Sequence, residues 1–275
     1  MSNDWKNIGE AAVAVLNTAR PREKAETARL AAAKWRSGAL PLKFTTQPPL
    51  RPARPDKPVL MMPADMPKRR KGGTEGNRRA LLHAIAHIEL NAIDLAFDLV
   101  ARFGDLMPKA FTDDWVQVGD DEARHFALVS ARLKALDCYY GDLPAHDGLW
   151  QSAMDTKDSL PARLAIVPMV LEARGLDVTP KMIEQFKRSG DDVSADVLQT
   201  IYEEEIGHVS AGTRWFKHLA KQGGLDDKAW FQELVSEYFK GSLKPPFNKP
   251  ARNRAGMPCS FYEPLADLLS DGQEA

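Results

Sequence analysis

Apolar residues recur at alternating intervals of three and four in four separate stretches of this chain, the periodicity of helices that bury one face. The first stripe carries Leu82, Ile85, Ile93, Ala96 and Val100. The second carries Val118, Val129 and Leu133, and the third Ala165, Met169 and Leu176. The fourth carries Leu198, Ile201, Gly212, Trp215 and Leu219. Each stripe is interrupted near its middle, where an apolar residue belongs, by acids and imidazoles. Glu89 breaks the first, Glu122 and His125 the second, Glu172 the third, and Glu205 and His208 the fourth.

Punctuating residues set the bounds of these elements. The first helix is expected over about 77–103, stopping near Gly104. The second is expected over about 113–138, capped by Thr112 or Asp113. Gly141, Pro144 and Gly148 mark 139–158 as a crossover. Ser159 then caps a third helix with Pro161 in its first turn. Pro168, four residues before Glu172, predicts a kink there. A separate short segment is expected from Thr179 to Ser189, with Pro180 at its start. The fourth helix is expected over about 191–220, ending at Gly223-Gly224.

The flanks read differently. Residues 4–37 predict two short helices. Asp4 caps the first, which shows the face Trp5, Ile8, Ala12 and Leu16, and Pro21 opens the second. Residues 38–78 hold eight of the nineteen prolines, which excludes long helix and central strand. An extended arm is expected, seated through Leu50, Val59, Leu60, Met61 and Met62 and ending in the basic run Lys68-Arg69-Arg70-Lys71. An amphipathic helix with Trp230, Leu234, Tyr238 and Phe239 follows over 226–240. Beyond it lies a proline-rich tail whose anchors are Phe247, Phe261 and Tyr262. The expected organisation is a helical extension (1–37), a proline-rich basic arm (38–78), a helical bundle (79–220), and a C-terminal helix with its tail (221–275).

Composition narrows the class. The chain has 275 residues, 44% hydrophobic and 27% charged, with a formal net charge of −1. That is a soluble, globular composition with no global bias toward nucleic acid. No apolar run reaches the roughly 20 residues of a membrane span, and the first residues lack the layout of a secretory signal. Two cysteines, Cys138 and Cys259, make no disulfide framework, so a reducing cytoplasm is the simplest setting.

The chemistry lies in a repeat. Glu122-x-x-His125 and Glu205-x-x-His208 each put a carboxylate and an imidazole on one helix face. Glu89 precedes Glu122 by 33 residues, and Glu172 precedes Glu205 by the same 33. The segments Glu89–Leu95 and Glu172–Val178 also align, with Asp94 opposite Asp177. Four carboxylates and two imidazoles from four helices match the ligand set of a carboxylate-bridged di-metal site in a four-helix bundle. Without cations, such acids would have to protonate or be buried at heavy cost. The expected fold is therefore all-α, and the expected metal ligands are Glu89, Glu122, His125, Glu172, Glu205 and His208. Hard donors favour two iron ions, with manganese the alternative. Glu122 and Glu205 are expected to bridge, with Glu89 and Glu172 as terminal ligands. Asp121 and Glu204 are either partners of the histidine N–H groups or solvated charges. His83 and His87 read as a packed pair rather than a second metal site, and Arg124 and Arg174 as structural ion-pair partners. Gly175, Gly207 and Gly212 are expected to leave room beside the metals.

With these residues in hand, the chain resembles the ferritin-like superfamily over roughly 79–256. His87-Ile88-Glu89, Asp121-Glu122-Ala123-Arg124-His125-Phe126 and Lys244-Pro245-Pro246-Phe247-Asn248 with Ala251-Arg252 resemble, more specifically, a bacterial ferritin-like family of unassigned function. A more distant similarity is to the di-iron hydroxylases that modify isopentenyl adenosine derivatives in tRNA. The superfamily implies a di-iron centre that reacts with O2 or peroxide. The expected function is an O2-dependent oxidase or hydroxylase, with a small-molecule substrate and an electron donor. Its rivals are a ferroxidase or iron-handling protein, a tRNA-directed hydroxylase using Lys68–Lys71, and a module whose metal only holds the fold.

Overall fold

A computed structural model describes residues 4–62, 65–66 and 74–270 of the chain. The basic run Lys68–Lys71 lies outside the described residues. The chain forms two compact units, residues 1–150 and 151–275.

The first unit is built on a hairpin of α3 (Glu75–Phe103) and α4 (Lys109–Lys134), with α1 (Ile8–Leu16) and α2 (Pro21–Arg36) packed beside it. Asn7, not Asp4, caps α1. Its Oδ1 accepts from Glu10 N at 2.9 Å, and its Nδ2 donates in return to Glu10 Oε1 at 3.0 Å. Of the two candidate caps only Asn7 is followed by an acid three residues on. The second helix also starts and stops earlier than expected. Pro108 precedes its first turn, and the left-handed φ of 51° at Asp137 turns the chain away after Lys134.

The described residues of the arm hold no α-helix before Glu75, and its anchors differ from those expected. Leu50, Val59, Leu60 and Met62 are exposed, whereas Leu40, Pro52 and Pro58 are buried. Its carbonyls at Pro41 and Lys43 accept from Ile8 N and Gly9 N, first-turn amides of α1 that no helical acceptor can serve. Phe44 lies against Gly9, where an added Cβ would stand 2.9 Å from the Phe44 Cα. A backbone dense in proline has few amides to offer, so it docks through its carbonyls and rings. Two residues of the arm, Leu60–Met61 (β1), pair in parallel with Ala145–His146 (β2). The helix α5 (Gly148–Asp155) follows.

The second unit opens with α6 (Leu160–Ile166), whose cap Ser159 accepts from Ala162 N at 3.3 Å. At the place of the expected kink the helix changes type. Residues Val167–Glu172 widen to a π turn around Pro168. Beyond it runs α7 (Ala173–Arg188), which pairs with α8 (Asp192–Gly223). An added Cβ at Gly212 of α8 would stand 2.5 Å from Pro168 Cβ and Cγ, so this glycine makes room for the kink. The helix α9 (Asp227–Tyr238) and the short α10 (Lys249–Arg254) and α11 (Glu263–Ser270) complete the unit.

The expected break before Pro180 does not occur, because α7 continues through it. Proline lacks the amide that would serve the carbonyl four residues back, that of Leu176. The side-chain amide of Asn248, from the tail, donates to Leu176 O at 3.0 Å instead. The tail is anchored as expected by Phe261 and Tyr262, both fully buried, with Phe247 edge-on to Tyr262 at 4.8 Å. No helix among the described residues is long and apolar enough to cross a membrane.

Candidate metal centre

In the first unit the interrupted stripes meet. Glu89 on α3 and Glu122 and His125 on α4 are all buried, and their ligand atoms lie within 4.8 Å of one another. His125 Nδ1 stands 3.3 Å from Glu89 Oε2 and 3.5 Å from Glu122 Oε2. Leu82, Ile85, Ile93, Val118 and Val129, buried along the same two helices, supply the apolar surround.

Such a triad is electrostatically strained without a cation. Burial and the neighbouring Glu122 charge push the Glu89 carboxyl well above the usual carboxylate range. Burial alone would lower the His125 imidazole, but hydrogen bonding and charge from Glu122 and Glu89 outweigh it and raise it to about 11. The two carboxylates thus favour the protonated form of the His125 imidazole. Glu89 Oε2 remains buried with no hydrogen bond of acceptable geometry.

In the second unit Glu205 and His208 repeat the i, i+3 arrangement on α8, with His208 Nδ1 3.4 Å from Glu205 Oε2. That oxygen too is buried without a hydrogen bond. His208 is buried, while Glu205 and Glu172 are half-buried. Glu172 ends the π turn and directly precedes α7, so its position depends on the kink at Pro168.

These residues fit hard metal ions. Two donors on one ion stand at most about twice the ~2.1 Å ligand bond apart, and the 3.3 and 3.5 Å separations in the triad fall inside that limit. Oxygens with one imidazole and no thiolate suit iron or manganese. Glu89, Glu122 and His125 would hold an ion in the first unit; in the second, Glu205 and His208 stand together on α8, while Glu172 joins no cluster of three such ligand atoms among the described residues.

The residues set aside by sequence behave structurally. His87 Nδ1 lies 2.8 Å from the Tyr140 hydroxyl and its Nε2 3.1 Å from His146 O. His83 Nε2 accepts from Gly141 N at 2.9 Å. Burial holds the His87 imidazole down at about 4. Arg124 pairs with Asp121 at 3.1 Å, and Arg174 donates to Lys244 O at 2.6 Å. Asp121 also accepts from Gln117 at 3.1 Å. Of the three glycines expected to leave room, Gly207 is exposed, and an added Cβ there or at Gly175 would meet nothing within 4 Å. Only Gly212 is tightly packed, and its neighbour is Pro168.

Sequence reasoning missed a buried anchor in each unit. Asp94 pairs with Lys24, both fully buried, and with Arg54 at 2.8 Å. Asp177 accepts from Arg252 Nε at 2.9 Å and Nη2 at 2.7 Å. Each aspartate follows a lone ligand glutamate by five residues, so the alignment of Asp94 with Asp177 was the signal.

Residues 17–263 match the family described as "Protein of unknown function (DUF455)", and the chain belongs to that family. An "Uncharacterized protein" of Haemophilus influenzae (strain ATCC 51907 / DSM 11121 / KW20 / Rd) is 44% identical over 208 residues, which cover 74% of this chain and 72% of that one. No solved structure matches the chain.

Proposed function

We propose that this family member is a di-iron carboxylate protein that acts as an O2-dependent oxidase or hydroxylase on a small organic substrate. In this reading α3, α4, the kinked segment α6–α7 and α8 form a ferritin-like four-helix bundle, and the two half-sites hold one pair of ions. The buried triad Glu89, Glu122 and His125 supports it most directly, because acids placed there need a cation. The second Glu-x-x-His, with its own glutamate at the same interval, supplies the matching set.

When bound, a non-haem iron pair supplies the electrons that reduce O2. The chain's own groups prepare that chemistry. Glu89 and Glu122 favour a protonated His125 imidazole, and a cation held there would displace that proton, so loading would release protons. The apolar side chains of α3 and α4 keep bulk water from the carboxylates and so strengthen the charge interactions there.

The test is O2 uptake by protein loaded anaerobically with Fe2+. Uptake by the wild-type chain, abolished in Glu122→Ala, is the expected result. Iron accumulating far beyond two ions per chain as a ferric deposit would favour iron handling instead. Tightly bound iron with no O2 uptake would contradict the redox assignment and leave the metal a purely structural role.

A further inference from the structure

Asn248 does more than cap α10. Its Oδ1 accepts from Ala251 N at 3.3 Å, the ordinary cap bond. Its Nδ2 donates twice across the unit, to Leu176 O at 3.0 Å and to the Tyr202 hydroxyl at 2.9 Å. Its backbone N–H donates to Asp177 Oδ1 at 2.9 Å. Four residues on, Arg252 grips the same Asp177 with two bonds and lies against the Phe247 and Tyr262 rings at 5.2 and 4.5 Å. One turn of the tail thus holds α7 and α8 at the same level.

That level is one helical turn from the ligands. Leu176 follows Glu172 by four residues on the far side of the kink. Tyr202 precedes Glu205 by three, so the two share a face of α8. The acceptor on α7 exists because Pro180 has no amide to give Leu176 O. Pro180 breaks the helical bond, and Asn248 uses the freed carbonyl to tie α7 to Tyr202. A proline in a helix interior is destabilising in isolation, and the cross-link gives its presence a physical reason.

We infer that Asn248 is a positioning residue for the second half-site, setting the separation of Glu172 and Glu205 through its bonds to Leu176 and Tyr202. This inference rests on the metal reading given above.

The test is a Co2+ titration of the full chain, followed by the visible d–d spectrum, with thermal unfolding of the metal-free protein alongside. The wild-type chain should bind two Co2+ ions. Asn248→Ala should keep the first at wild-type affinity and weaken the second at least tenfold, with an altered spectrum for that ion. Tyr202→Phe, which leaves Leu176 served, should weaken the second ion with little change in unfolding temperature. The pair Pro180→Ala with Asn248→Ala returns an amide to Leu176 O but leaves Tyr202 untied. It should regain stability without regaining the second ion. Wild-type affinity in Asn248→Ala, or recovery of stability and the second ion together in the double variant, would overturn the positioning role while the metal reading stands. Absence of Co2+ binding to the wild-type chain would sink both.

Discussion

The two half-sites share a sequence plan but differ in how the chain supports them. In the first, Glu89, Glu122 and His125 project from two long helices and are buried in an apolar surround. In the second, His208 is buried, but Glu205 is half-buried and Glu172 hangs on a π turn around Pro168. Each lone glutamate has an aspartate five residues on that anchors a flank of the chain. Asp94 takes Lys24 from α2 and Arg54 from the arm, and Asp177 takes Arg252 from the tail. Helix, arm and tail thus each tie to an aspartate at the same interval after a glutamate. The regular half suits tight, constant ligation. The second half carries a π turn, a feature that recurs at functional sites, and under the proposed function it is the side where substrate or O2 would enter.

The largest expected effect comes from breaking an anchor. Asp94→Ala leaves buried Lys24 and Arg54 without their shared anion, and unpaired buried charge costs about 3–5 kcal/mol. Asp177→Ala should fall at the lower end of that range, because Arg252 keeps its contacts with two aromatic rings. Denaturant titration of both variants orders them, and equal losses would remove this asymmetry.

The His125 imidazole gives the first half a pH signature. Its folded pKa of about 11 lies above the ordinary value of 6.5. A raised pKa stabilises the fold fully below about 6.5, and that stabilisation is lost as pH rises through about 11. Between those limits the metal-free wild-type chain should lose stability relative to His125→Gln. A bound metal would displace the proton, so loading should flatten that curve. Parallel curves for metal-free wild type and His125→Gln would contradict the raised imidazole.

Smaller effects come from the glycines, with opposite signs. Gly212→Ala drives a methyl into Pro168 and should cost about 1–3 kcal/mol by overpacking. Gly207→Ala meets nothing within 4 Å on an exposed helix face and should stabilise by up to about 1 kcal/mol. A destabilised Gly207→Ala would restore a spatial role for that residue.

The four stripes and their interrupting residues were legible because period and ligand spacing are local and repeated. Every named stripe residue of α3 and α4 is buried. The continuity of α7 was not legible, because Leu176 is served by Asn248, 72 residues away. The seating of the arm was missed for a related reason. Hydrophobicity pointed to Leu50 and Val59, but the arm docks by carbonyls that complete the N-terminus of α1. Among the glycines, the distinction between exposed Gly207 and packed Gly212 depends on Pro168, a neighbour on another helix.

The central claim is tested most directly by metal content. The chain is purified without chelator, loaded anaerobically with ferrous iron, stripped of loose metal and analysed for iron per chain. Two irons per wild-type chain, falling to about one in His125→Ala, is the expected result. Iron no higher than trace in the loaded wild-type chain would contradict it, and the buried carboxylates would then stand as partners of a protonated His125 imidazole alone.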